Sequence, residues 1–303
     1  MSAVLAGTST AASPRHSPWR LFSWSVRREL WHSRAIVFAP FAIGALFIAG
    51  AVIAAFNAGD LISQLQAVDP RRRAEFMAAP TLFAAEMIKL IAVLLAATYT
   101  FEAFHGERRD RSILFWKSLP VSDTITVLAK AAVPLLVVPI VTCVATIVTQ
   151  IVMLVIAGAA FSMNGMSFTT PLTETQFASM LPWTLFSVFA QVLWQSPLYA
   201  WLMLVSGWAR RLPALWAIGV PIGVSIVEGL AFQTAYFGTA VKARLSDGYA
   251  AIFGNSARSS TASGRGVDDL LVFFSSMPLW AGIAIAVAFI VAAIWLRRRA
   301  EPI

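Results

Sequence analysis

The residues of this sequence that could do chemistry are of two kinds: polar side chains inside long apolar runs, and one charged segment between two such runs. Glu86 and Lys89 lie three apart in an apolar run, so a helix puts them on one face. Either they form an interfacial ion pair with Lys89 reaching outward, or they make a polar contact on a substrate path. Gln191 and Gln195, four apart, share a face in another run, and Gln150 in a third is a plausible partner, because an amide in lipid needs a hydrogen bond from a neighbouring helix. Glu228 stands near the end of a further run. Such groups either glue helices together or line a path. Glu86, Lys89, Gln150, Gln191, Gln195 and Glu228 are therefore the candidate pathway residues.

The charged segment, Phe104 to Lys130, carries Arg108, Arg109, Arg111, Lys117 and Lys130 against Glu107, Asp110 and Asp123. Nothing in it or elsewhere has a catalytic pattern: there is no HExxH, no GxSxG and no Cys/His cluster. His105 beside Glu107 reads as a solvated loop residue, and His16 and His32 are scattered. The intramembrane acids are too dispersed for a paired-carboxylate site. Cys143, the single cysteine, lies in an apolar run and reads as a buried thiol. No catalytic residue, metal or cofactor of the chain's own is expected. The GxxxxGK[ST] phosphate loop is also missing, so the chain does not hydrolyse ATP by that route.

Composition sets the class that must position these residues. The chain has 303 residues, 58% hydrophobic and 13% charged, with mean hydropathy +0.74. Soluble domains average about 25% charged residues. The expected fold is all-α: a polytopic membrane protein with six transmembrane helices, an N-terminal interfacial helix and a cytoplasmic coupling helix. The net charge of +8 does not indicate nucleic acid, because the positive residues gather at span ends, where orientation needs them.

Residues 1–18 are small and polar and read as a disordered cytoplasmic tail. Residues 19–34 read as an interfacial amphipathic helix. Trp19, Phe22, Val26 and Leu30 fall on one face, with Arg20, Arg27, Arg28 and Glu29 off it. Residues 35–303 form the six-helix domain, with spans at about 35–56, 81–101, 133–157, 181–206, 212–232 and 278–296. The first has 22 residues without a charge, enough to cross roughly 30 Å of hydrocarbon. Pro80 is expected to precede the second span. Pro134 and Pro139 are expected to loosen or kink the start of the third, and Pro221 to bend the fifth. Asn164-Gly165 marks a turn. After the fifth span, 236–253 is mildly amphipathic and 254–266 is Ser/Gly-rich. Residues 270–277 are too short to span and read as a re-entrant or interfacial helix before Pro278.

With both ends on one side, that side collects 15 of the 23 lysines and arginines and the other collects 7, with Lys89 at a span edge. This predicts cytoplasmic termini and a cytoplasmic 104–130 loop in the cell inner (plasma) membrane. The cluster Arg71-Arg72-Arg73 votes the other way.

The charged loop contains Glu107, Arg108, Ser112 and Ile113, then Ser118-Leu119-Pro120-Val121-Ser122, then Lys130. This pattern resembles the segment between the second and third membrane helices of type-2 ABC exporter permeases, over about 25 residues. The resemblance implies a transmembrane permease subunit that forms half of a translocation pathway, with a short coupling helix docking on a separate cytoplasmic ABC ATPase. ATP would be bound on that partner, and a second permease, identical or a sister subunit, would complete the path. The interfacial helix also has its place in that family. The arginine-rich first outer loop departs from it and leaves the substrate open.

The residues themselves suit a docking helix. Gly106 can release the preceding helix, and Glu107 and Asp110 place negative charge in a first turn. Arg108, Arg111 and Phe115 share one face; Ile113, Trp116 and Pro120 share another. Glu107, Arg108, Arg111, Phe115 and Trp116 are thus the candidate ATPase-coupling residues. A solvated loop whose charges serve topology is the plainer alternative. For the whole chain the alternatives are an integral-membrane enzyme acting on lipid and a structural or regulatory membrane protein without a path. Expected partners are the ATPase, the second permease and membrane lipid, with no nucleic acid.

Overall fold

The computed structural model describes residues 17–106, 122–209, 211–247 and 267–299. Every regular element among them is helical, and six helices are long and apolar enough to cross a membrane. The chain is an all-α polytopic membrane protein. Helix α1 is Pro18–His32 and α2, the first span, is Ala35–Phe56. A short α3, Ala58–Gln66, precedes α4, Pro70–Glu102. Helix α5 runs through Asp123–Met163, α6 is Thr170–Glu174 and α7 is Phe177–Trp208. Then come α8, Pro213–Phe232, and α9, Tyr236–Lys242, which passes into a π-helical turn, Ala243–Asp247. Helix α10 is Val267–Ser275 and α11 is Met277–Arg299.

The spans extend further than hydropathy indicates, because polar ends continue the same helices. Asp69 accepts a hydrogen bond from Arg71 N (3.1 Å), and Pro70 opens α4 with a φ already suited to helix. The 33 residues of α4 reach roughly 50 Å. Pro80 therefore lies inside the second spanning helix instead of preceding it. The polar stretch after α2 is a layer of helix, with Ile62 and Leu65 of α3 packed on Ala160 and Phe161 of α5.

Helix α5 likewise begins ten residues before the expected span. Ser122 caps it by accepting from Ile125 N (3.3 Å), and Asp123 complements its first turn. Pro134 and Pro139 do not break it. The backbone widens into π-helix over Val133–Val137, which accommodates the missing N–H groups within a continuous helix. The turn expected at Asn164-Gly165 is present, with Gly165 at φ 77°. Pro221 lies within α8. The short helix expected before Pro278 is present as α10, slightly earlier in the chain; residues 254–266 lie outside the described residues.

Helices α2, α4, α5 and α7 pack together, and α11 lies along α7. Lipid offers little hydrophobic drive between helices, so close backbone approach matters. At Gly44 of α2 a Cβ would fall on Thr149 Oγ1 of α5, so glycine is what lets these two helices meet there. Helix α8 is peripheral: only Pro213 and Ala217 are buried, while Leu215, Ile218, Val227 and Leu230 are exposed.

Candidate functional site at the charged face of the bundle

Four helix ends and one further helix converge where the charged loop leaves and rejoins the bundle. They are the C-terminal ends of α4, α7 and α11, the first turns of α5, and α1, which lies against α5. Both described chain ends therefore lie on the same face as both ends of the charged loop. Glu107, Arg108, Arg111, Phe115 and Trp116 themselves lie outside the described residues. What the structure describes is the frame that holds their segment.

That frame is tied by polar contacts. Glu29 of α1 is buried and places Oε2 3.1 Å from Lys130 Nζ of α5. The same carboxylate accepts from Tyr99 Oη of α4 (3.0 Å) and from Arg28 (2.7 Å). Burial pushes the Glu29 carboxyl up, but the Lys130 ammonium and Arg28 guanidinium outweigh it and hold it below the usual carboxylate range. Ser206 Oγ, near the end of α7, accepts from the backbone N–H of Phe104 (2.9 Å) and His105 (3.0 Å), fastening the chain where it leaves α4. Arg297 of α11 pairs with Asp123 at the start of α5 (3.0 Å), and Arg298 donates to Thr124 Oγ1 (2.9 Å). The Phe104 ring lies 5.7 Å from Lys130 Nζ and 5.3 Å from the Arg297 guanidinium carbon, within cation–π range of both.

Two expectations change here. His105 is half-buried, with Nδ1 enclosed and without a hydrogen-bond partner among the described residues, and so is not a fully solvated loop residue. The faces of α1 also differ from the expected separation of aromatics and arginines. Ser25 and Glu29 are the buried centre of its packed face, while Trp19, Trp24 and Trp31 are exposed on sides shared with Arg20 and Arg27. The buried pair to Lys130 draws Glu29 inward and rotates the tryptophans out.

Glu29, Tyr99 and Ser206 were not among the candidates from sequence. A signal for Glu29 existed: it is the single acid between Trp19 and Arg34, while Lys130 is the single cation between Asp123 and Glu174. A single acid in one segment and a single cation in another are candidates for each other, although Glu29 also has Arg28 beside it in sequence. No comparable signal marks Ser206.

The pathway candidates separate into three places. Glu86 and Lys89 form an ion pair (2.7 Å), but Lys89 is 3% exposed and reaches Ser187 Oγ of α7 (3.3 Å), so it points into the bundle and does not snorkel outward. Gln150 is fully buried with both amide atoms unpartnered among the described residues, and thus does not bridge to Gln191 or Gln195. Gln195 instead accepts from Tyr199 Oη (2.7 Å) one turn along its own helix, which satisfies its oxygen without a second helix. Gln191 is half-buried on α7. Glu228 accepts from Tyr236 N (2.7 Å), Phe237 N (2.9 Å) and Thr234 Oγ1 (3.1 Å), capping the start of α9. It borders an open cleft of about 590 Å³ whose walls include Val220, Val224, Val227 and Phe237.

No group of three or more His, Cys, Asp or Glu side chains among the described residues could hold a metal ion. No protein-family model, curated protein or solved structure matches the chain.

Proposed function

We propose that this chain is the membrane-spanning permease subunit of an ATP-driven exporter of the type-2 ABC kind, coupled to a separate ATPase through the loop at residues 107–121. The observation that carries the reading is the sequence Glu107-Arg108 through Ser118-Leu119-Pro120-Val121-Ser122 to Lys130, set between the second and third of six spanning helices. The frame around that loop supports it. A lever works only if its ends are fastened, and both ends of this segment are: Phe104 and His105 to Ser206, Asp123 to Arg297, and Lys130 to Glu29. Movement imposed on the loop would then pass to α4, α5, α7, α11 and α1 together.

In this reading the chain contributes half of a path, and a second permease meets it along an apolar surface. The thinly packed, apolar α8 supports such a contact. ATP is bound and hydrolysed on the partner, and the loop side is cytoplasmic.

The test is affinity purification of the full chain from its native membrane under mild detergent. The reading expects a stoichiometric cytoplasmic protein carrying a GxxxxGK[ST] loop, whose ATPase activity changes on association. Recovery of the permease with no such ATPase, under conditions that preserve the folded chain, contradicts it.

A further inference from the structure

The outer side of α1 alternates arginine and tryptophan. Arg20, Trp24, Arg27 and Trp31 follow one another at spacings of four, three and four. Arg34 follows three residues on, beyond the non-helical Ser33, where the chain turns into α2. All five are exposed, Trp24 to 66% and Trp31 to 65%. The row lies opposite Ser25 and Glu29, the buried centre of the face that packs on the bundle.

Charge on this side is of one sign. The Arg27 guanidinium carbon sits 5.9 Å from the Trp24 ring centroid and 5.4 Å from that of Trp31. Arg20, Arg27 and Arg34 form no ion pair among the described residues. The one acid of the helix, Glu29, is on the opposite face with Lys130. The basic cluster at the other end of α4 is different, for Arg71 has Glu75 and Arg73 has Glu174 within ion-pair distance.

Each residue type suits the same occupant. Indole rings settle at the level of lipid headgroups, where one end is apolar and the other wet. A guanidinium matches phosphate with its planar fork, and stacking on an indole pre-sets its orientation. Three positive charges with no local acid favour a negative surface over a zwitterionic one. We propose that Arg20, Trp24, Arg27, Trp31 and Arg34 form a binding surface for the phosphate headgroups of anionic phospholipids. The proposal rests on α1 lying at the membrane surface and is independent of the transport reading.

The experiment uses the full chain in phosphatidylcholine bilayers containing spin-labelled phosphatidylglycerol or, separately, spin-labelled phosphatidylcholine. The motionally restricted fraction of each probe gives the relative association of anionic over zwitterionic lipid. The expected preference is about fivefold or more, falling as ionic strength rises through the range where the screening length shrinks from about 10 to 3 Å. The variant R20Q/R27Q/R34Q should lose most of this preference, whereas R71Q/R72Q/R73Q at the other end should keep it. Arg20, Arg27 and Arg34 are exposed, so the fold should survive their replacement, and the salt dependence of the wild-type chain tests the idea independently of any variant. A wild-type chain with no anionic preference overturns the proposal and leaves a protein partner as the occupant of the stripe. So does a preference equal in the wild type and the stripe variant, or reduced equally in both triple variants.

Discussion

Glu29 and Lys130, 101 positions apart in the chain, meet as a buried ion pair at 3.1 Å where α1 crosses the foot of α5. Tyr99 of α4 donates to the same carboxylate, so one acid joins three helices. A charge removed from a buried pair leaves its partner uncompensated, which typically costs about 3–5 kcal/mol. Glu29→Gln is therefore expected to destabilise the protein by about 3 kcal/mol, read as a lower thermal midpoint in detergent. Adding Lys130→Met to it should recover at least half of the loss. Equal losses in the single and double variants would show that the pair contributes nothing beyond packing.

The same carboxylate predicts a pH dependence. Its folded value lies below its unfolded one, so protons bind the unfolded chain first. Its stabilising contribution is complete above the ordinary carboxylate range and is lost as pH falls through the depressed folded value. Midpoints measured on an acid series should fall more steeply in the wild type than in Glu29→Gln. Parallel curves would contradict the assignment.

Topology gives a third prediction. The described flanks of residues 107–121, at Phe104 and Asp123, lie on one face with the C-terminal end of α11, while α8 starts near that face and α11 starts at the other end of α7. With Cys143 replaced by Ala, a cysteine at Ser112 should be closed to impermeant reagents in intact cells and one at Ser259 open to them. Labelling of Ser112 from outside would invert the proposed orientation.

The Glu86–Lys89 pair supplies a fourth. Glu86 is more than half exposed while Lys89 is enclosed against Ser187. If this pair borders a path, Lys89→Met should change which compounds are exported while the protein still assembles. Glu228→Gln should act differently, loosening α9 through its lost cap. An unchanged export profile together with misassembly for Lys89→Met would assign the pair to structure alone.

Much of the fold was legible because spanning helices announce themselves by length and hydropathy. The first span was readable to the residue, since charged or polar groups bound it at Arg34 and Asn57. The starts of α4 and α5 were not, because Asp69, Pro70, Ser122 and Asp123 are helix-starting residues that lie outside the apolar runs. The Glu86–Lys89 pairing was readable from spacing within one helix. Contacts between helices were not: the amide of Gln195 found Tyr199 in its own helix, and Glu29 found Lys130 across the bundle. Helical periodicity fixes which residues share a face, and tertiary packing decides which face turns inward.

The proposed coupling to an ATPase places the docking residues in the loop between the second and third spans. The deciding variants are Phe115→Ala and Arg111→Glu, each compared with the wild type for ATPase co-purification and for ATPase activity in membranes. Loss of an aromatic anchor should weaken association by about tenfold or more, and reversal of a rim charge should slow it and alter its salt dependence. Docking through this loop would show as lost association or lost coupling in both variants, with the chain still inserted and folded. Association and activity equal to the wild type in both would contradict it.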